Sequence, residues 1–200
     1  MDKPFWEKAY KSMGAAPFGN PSLEIYEISN SLPKGSKILD AGCGDGRNAL
    51  FLAEKGFSVD AFDISANGIE KLTMLAKQKD IRINAWVQDL AEYDFNNNYD
   101  LIISHGVLHL VKRDTWTGFI RDMKSHTRVN GVNVLVVFTD ALPVPGDLAE
   151  HFVGLFAENE IKDIYSDWAI EYFKSYDFYD THPGGLKHHH AANKLIARKR

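Results

Sequence analysis

Residues 39–56 read "LDAGCGDGRNALFLAEKG" and put three glycines, Gly42, Gly44 and Gly46, into five positions. Glycines this dense mark a sharp backbone turn, or a place where something approaches the chain too closely for a side chain. The run before them, "KILDAG", is apolar and strand-like. The run after them, "RNALFLAEKG", sets Ala49, Leu52 and Ala53 on one helical face and stops at Gly56, a favourable residue just past a helix end. Strand, glycine loop and helix in that order decide the fold class.

Outward from this unit the alternation continues. "FSVDAFDI" is predicted as a second strand, followed by a helix that Ser65 caps, with Ile69, Leu72, Leu75 and Ala76 at helical spacing. "IRINAWVQD" and "YDLIISHG" supply strands three and four. "RDTWTGFIRDMKSHT" is an amphipathic helix with Trp116, Phe119, Ile120 and Met123 inward, and "GVNVLVVFT" is strand five. Strands alternating with helices mean right-handed crossovers and a parallel sheet covered on both faces.

Residues 1–35 are expected to form a helical segment leading into a core at 36–138, and residues 139–200 a helical lid to about residue 168 (a loop with Pro143, Pro145 and Gly146, then a helix around 158–168) followed by a hairpin. The hairpin pairs "AIEYFKSYDFYD" with "HHAANKLIARK" across the turn "THPGGLK". The expected fold is therefore a single Rossmann-like α/β domain, 1–200. Its sheet has seven strands, mostly parallel, with the last strand antiparallel.

Composition bounds the partners. Two hundred residues with 44% hydrophobic content fit one domain with a real core. A net charge of −4 argues against a dedicated nucleic-acid binder, since phosphate contacts demand a basic face. Four cations in the last seven residues (Lys194, Arg198, Lys199, Arg200) read as a solvated end. A single cysteine, Cys43, rules out an internal disulfide and suits a reducing compartment. No segment has the length and apolarity of a signal peptide or a membrane span. The expectation is a soluble, cytoplasmic protein with no membrane partner.

In an open parallel sheet, ligands bind outside the carboxyl ends of the strands, where the glycine loop lies. A dinucleotide site wants G-x-G-x-x-G, but Arg47 stands where the third glycine would fall. The spacing here is G-x-G-x-G. Asp63 closes strand two about 20 residues on, where a carboxylate accepts ribose hydroxyls, and it is preferred to Asp60 for that role. Asp89 ends strand three, where an acid takes an adenine amino group while the Leu90 N–H meets a ring nitrogen. Asp40 adds a third acid beside a loop that holds no lysine. Such a ring repels pyrophosphate and suits a cationic, phosphate-free nucleoside: S-adenosylmethionine.

"ILDAGCGDGRNALFLAEKGFSVDAFDIS" resembles the cofactor motif of class I S-adenosylmethionine-dependent methyltransferases. More narrowly, "GCGDGRN" followed by "VDAFD" is similar to the tellurite-resistance methyltransferases, as are "YDLIISHGVLHL", "FAENEIKDIYSDW" and the terminal "LIARK". The resemblance implies methyl transfer, with Asp40 and Gly42 to Gly46 on the methionine part, Asp63 on the ribose, and Asp89 with Leu90 on the adenine. Ser104 or His105 would lie at the mouth of strand four. The full cofactor set is Asp40, Gly42, Cys43, Gly44, Gly46, Asn48, Asp63, Ile64, Asp89, Leu90 and Ser104. That group carries an arginine-containing hairpin where this chain has "THPGGLKHHH", so an oxyanion acceptor does not carry over.

Methyl transfer from a sulfonium needs orientation and exclusion of water, with a base only where the nucleophile carries a proton. The catalytic candidates are His105 after strand four and His182, His188 and His190 on the hairpin, since imidazole titrates near working pH. His109 shares the same edge as His105, while His126 and His151 read as surface residues. Trp6 and Tyr10 read as a helical packing face, and Cys43 as a small filler between two glycines. No metal is expected. Adjacent residues on a strand face opposite ways, so only His188 and His190 share a face, and a third ligand would have to be His182 across the turn. The expected acceptor is a small molecule. Two other readings stand beside this one: a silent S-adenosylmethionine-binding module acting through a protein partner, and a nicotinamide-dependent oxidoreductase.

Overall fold

A computed structural model describes Glu7, Tyr10, Lys11, residues 19–181 and residues 186–200. Seven strands form one sheet: β1 (Lys37–Ala41), β2 (Ser58–Asp63), β3 (Asn84–Val87), β4 (Tyr99–His105), β5 (Thr127–Phe138), β6 (Ala169–Thr181) and β7 (Lys187–Arg198). Their order is β3-β2-β1-β4-β5-β7-β6. Neighbouring pairs from β3 to β5 are parallel, and β7 is antiparallel to both β5 and β6. This is the seven-stranded, mostly parallel sheet with an antiparallel last strand that the sequence predicts.

The helices are α1 (Leu23–Ser31), α2 (Arg47–Glu54), α3 (Ala66–Gln78), α4 (Arg113–Ser125) and α5 (Glu160–Ile164). Because side chains alternate along a buried strand, each strand feeds two cores. Ile38, Leu101, Ile103, Val132 and Val134 pack with Ile25, Leu52 and Leu72 from α1, α2 and α3. On the other face Leu39, Ile102, Leu135 and Val137 meet Trp116, Phe119, Ile120 and Met123 of α4. Trp116 stacks on Phe156 with ring centroids 4.0 Å apart, which fastens the chain after β5 to that face. Ser65 caps α3 as read from the sequence, its Oγ accepting the Gly68 N–H at 3.0 Å.

Three expectations need correcting. The lid is less helical than expected: residues 139–159 hold one 3₁₀ turn, Gly146–Leu148, and the helix expected around 158–168 is confined to the five residues of α5. Pro143 and Pro145 account for the loop at its start, since each lacks an N–H and disfavours the helical region for the residue before it. Second, β5 starts at Thr127 rather than Gly131. Third, three of the C-terminal cations are engaged. Lys194 donates to Glu24 at 2.7 Å, Arg198 pairs with Glu171, and Lys199 reaches the carbonyls of Lys124 and Thr127 at the end of α4.

The topology gathers the carboxyl ends of β1 to β6 on one edge. Strand order reverses between β1 and β4, which opens the crevice where such sheets bind ligands. A buried ion pair ties the glycine loop to α3 there, Lys71 Nζ lying 3.0 Å from Asp45 Oδ2 with both side chains nearly inaccessible. Removing one partner of such a pair leaves a buried charge uncompensated, at a cost of about 3–5 kcal/mol. Lys71→Met should therefore lower unfolding free energy in urea by about 3 kcal/mol, and adding Asp45→Leu should restore much of it. A loss below about 1 kcal/mol would show that the loop is anchored elsewhere.

Candidate functional site

The three loop glycines are at φ +75°, +58° and +85°, backbone that favours glycine. Each is also crowded by the protein itself. A Cβ on Gly42 would meet Val107 at 2.2 Å, one on Gly44 the Tyr10 hydroxyl at 2.3 Å, and one on Gly46 the Leu72 side chain at 2.6 Å. What lies so close to this backbone is thus the chain's own side chains. Gly42 and Cys43 both donate to the Phe62 carbonyl, at 2.8 and 3.0 Å, which curls the loop back over the end of β2.

Asp63 fixes the loop from below. Its Oδ2 accepts the Gly44 N–H and its Oδ1 the Ser65 N–H, both at 2.8 Å. Burial raises its pKa, and the two N–H donors oppose the rise. Asp60 points elsewhere: Asn84 (2.9 Å), the Tyr99 hydroxyl (3.0 Å) and Lys37 (3.3 Å) surround its carboxylate. Asp89, half-buried, accepts the Ala91 N–H at 2.8 Å at the start of a 3₁₀ turn, Leu90–Glu92.

These groups border a cavity of about 690 Å³ at the carboxyl edge of the sheet. Of the expected cofactor residues, Gly42, Cys43, Gly44, Asp63, Ile64, Asp89 and Leu90 line it; Asp40, Gly46, Asn48 and Ser104 do not. Asn48 is spent on structure, its Oδ1 accepting the Ser22 N–H at 3.0 Å. Ser104 is fully buried. Burial pushes the Cys43 thiol well above its ordinary pKa, which suits a filler and not a nucleophile.

Asp40 is buried, and no hydrogen-bond partner for its Oδ2 exists among the described residues. Burial pushes its pKa up to about 7; Arg47 opposes the rise and Asp63 adds to it. Arg47 is the cation of the cavity wall and bonds His105 Nδ1 at 3.1 Å. The other nitrogen of His105 lies 3.2 Å from Ser22 Oγ and 3.6 Å from Glu24 Oε1. Burial lowers the pKa of His105, with Glu24 opposing. With both nitrogens engaged, His105 positions Arg47. His109 is buried and stacks flat on Phe138 at 4.0 Å, and burial pushes its pKa down to about 3.

The far end of the cavity is aromatic. Phe138, Phe152, Tyr176 and Phe178 line it, and Phe138 meets Phe152 and Phe178 edge-on at 5.5 and 5.4 Å. Glu150, His151 and Asp180 complete this end, so His151 belongs to the cavity wall and not to the surface. His188 and His190 are buried on the shared face that strand alternation predicts. They contact Asp180 and are not on the cavity wall. His189 faces away, bonding Asp177 at 2.6 Å and stacking on Tyr179. His182 and Trp6 lie outside the described residues. Read from the sequence, a sixth strand parallel to the others brings Phe178–Asp180 to this edge; that reading gives Asp180 no role and leaves out Phe138, Phe152 and Tyr176, although period-2 alternation through Tyr176, Phe178 and Asp180 carries part of the signal.

The donor set can be tested against a ligand. Among the described residues lining the cavity are five carboxylates (Asp45, Asp63, Asp89, Glu150, Asp180), one guanidinium and no lysine. That chemistry disfavours a pyrophosphate and fits a nucleoside carrying ammonium and sulfonium charges. The residues present therefore fit S-adenosylmethionine.

Comparison with known proteins agrees. A family profile described as tellurite resistance protein TehB matches residues 20–187. The probable S-adenosyl-L-methionine-dependent methyltransferase TehB of Haemophilus influenzae is 33% identical over 166 residues, 82% of this chain and 57% of the relative. The chain thus spans little more than half the length of that curated relative. The crystal structure of TehB from Haemophilus influenzae superposes with a TM-score of 0.81 at 27% identity, covering 98% of this chain and 67% of that one. The N-methyltransferase NodS of Bradyrhizobium japonicum, in complex with S-adenosyl-l-homocysteine, gives 0.70 at 16% identity over 98% and 99%, a likeness of fold. No helix among the described residues is long and apolar enough to cross a membrane.

Asp40 generates a pH prediction. Between its usual 3.8 and about 7 the folded chain keeps a proton that the unfolded chain has released, so stability falls as pH rises through that window. Asp40→Asn removes this titration. Its thermal midpoint should gain on the wild type as pH goes from about 4 to about 7, with the ligand-free protein used throughout. A gap that does not change with pH would show that Asp40 ionises at its ordinary value.

Proposed function

Since this chain belongs to the tellurite resistance protein TehB family, we propose that it transfers the methyl group of S-adenosylmethionine to a small-molecule acceptor. Acceptor and cofactor would share one cavity. The observation that carries the reading is the division of that cavity into a carboxylate-ringed half under the glycine loop and an aromatic half under the hairpin.

When bound, S-adenosylmethionine would supply a methyl carbon on a sulfonium, open to in-line bond formation by the acceptor's lone pair as the C–S bonding pair leaves with the sulfur of the neutral thioether. The chain's own residues bind, orient and exclude water. Asp63, held rigid by the Gly44 and Ser65 N–H groups, keeps lone pairs for ribose hydroxyls. Asp89 and the backbone at Leu90 take the adenine edge. Arg47, oriented by His105, faces the methionine carboxylate, and Asp40 sets the charge beneath the loop. The aromatic half, Phe138, Phe152 and Phe178, favours an apolar or planar acceptor and strengthens electrostatics by excluding water. The hairpin contributes Asp180 to the acceptor end, with His188 and His190 against it and His182 next in the sequence.

Calorimetry tests the reading. The protein should bind S-adenosylhomocysteine and not NAD; NAD binding with no response to S-adenosylhomocysteine would overturn it. Asp63→Ala should weaken S-adenosylhomocysteine binding by about 2–3 kcal/mol, because charge-assisted hydrogen bonds are lost. Asp60→Asn should instead lower the thermal midpoint while the folded fraction keeps its affinity. Full affinity in folded Asp63→Ala would assign that carboxylate to the loop alone.

A further inference from the structure

We propose that Asp180, His188 and His190 form a binding site for a divalent first-row transition cation of the zinc type, set at the acceptor end of the cavity. The register of the last two strands brings the three together. Asp180 is paired directly with His188 across β6 and β7, and His190 follows two residues on, on the same face. One donor atom from each lies within 4.8 Å of the others. His190 Nε2 is 3.2 Å from Asp180 Oδ1, and His188 Nδ1 is 3.9 Å from the same oxygen. Donors bound tetrahedrally at about 2.1 Å stand about 3.4 Å apart, so these separations need only small side-chain adjustments to close on an ion.

The surroundings are those of a built metal site. Both imidazoles are more than nine-tenths buried, at 6% and 4% exposure. The outer nitrogen of His188, Nε2, lies 3.1 Å from Asp147 Oδ2, the carboxylate–histidine arrangement that fixes the ring and leaves Nδ1 turned inward. Phe138, Phe152 and Phe178 stand 5.1–5.5 Å from the His190 ring and keep water away. Two imidazoles and one carboxylate form a borderline donor set, suited to Zn²⁺, Co²⁺, Ni²⁺ or Fe²⁺ in preference to Mg²⁺ or Ca²⁺. Three protein ligands leave further positions open, and Asp180 borders the cavity, which sets the site beside the acceptor end. This last step rests on the proposed methyl transfer; cation binding itself does not.

The test uses the untagged full chain, stripped with chelator and free of nucleoside. Titration with Co²⁺ should produce a visible ligand-field spectrum at one ion per chain. Zn²⁺ should displace it, and Zn²⁺ but not Mg²⁺ should raise the thermal midpoint. His190→Ala and Asp180→Asn should each weaken Co²⁺ binding at least about 100-fold, and Asp147→Asn about 10- to 100-fold. His189→Ala, on the opposite face, should leave it unchanged. Where His190→Ala folds poorly, His190→Gln with its thermal midpoint replaces it. No Co²⁺ spectrum in the wild type, or full binding in folded His190 and Asp180 variants, overturns the site. Calorimetry with S-adenosylhomocysteine on the same sample reads the methyl-transfer proposal separately.

Discussion

The two hydrogen bonds that the Asp63 carboxylate accepts, from Gly44 and Ser65, join the parts of the site that would otherwise be independent loops. One bond reaches the turn after β1 and the other the start of α3, so a single buried anion at the end of β2 sets the spacing of both. Charge-assisted bonds to a desolvated acceptor are each worth roughly 1.5–3 kcal/mol, which helps offset the conformational freedom that a run of glycines loses on being fixed. A ligand hydroxyl reaching this carboxylate joins an arrangement already fixed. That is the condition under which binding energy is not consumed in ordering the protein.

Neighbouring ionisable groups are likewise neutralised by burial or paired. Asp40, close by and buried, holds its proton toward neutral pH; Asp45 is met by Lys71; Arg47 is braced by His105. Local charge is balanced residue by residue under the loop. The aromatic half needs no such balancing, and there Asp180 is matched by the hairpin imidazoles. The two halves differ in polarity because Asp40, Asp63 and Asp89 stand at or beside the carboxyl ends of β1 to β3, while Phe138 ends β5 and Tyr176 and Phe178 lie toward the end of β6.

Periodicity made most of the fold legible: alternating apolar runs gave the strands, and Ser65 and Gly56 gave boundaries, while the turn read at Pro183-Gly184-Gly185 lies outside the described residues. That Asp63 and not Asp60 borders the cavity was also readable, since only the residue ending a strand reaches the carboxyl edge. What could not be read were contacts between distant segments. Val107, Tyr10 and Leu72 against the glycines depend on tertiary approach, as do Asp147 on His188 and His151 on the cavity wall. The segment after β5 was legible in part: Pro143 and Pro145 mark its loop, while the helix expected around 158–168 is only the five residues of α5. The third partner for the hairpin histidines was sought across the turn, whereas strand register supplies it from the facing residue, Asp180.

The position of β7 has a consequence for how the molecule is made. It is the last strand in chain order, yet it sits between β5 and β6. A ribosome therefore delivers β6 before β6 has any sheet to join, and β5 keeps an open edge until β7 emerges. The β6–β7 pairing is between strands adjacent in sequence, while the β5–β7 pairing spans more than fifty residues. Local pairing carries the smaller entropic cost of loop closure. The hairpin is thus favoured to close first and to dock against β5 as one piece, carrying Asp180, His188 and His190 into place already assembled.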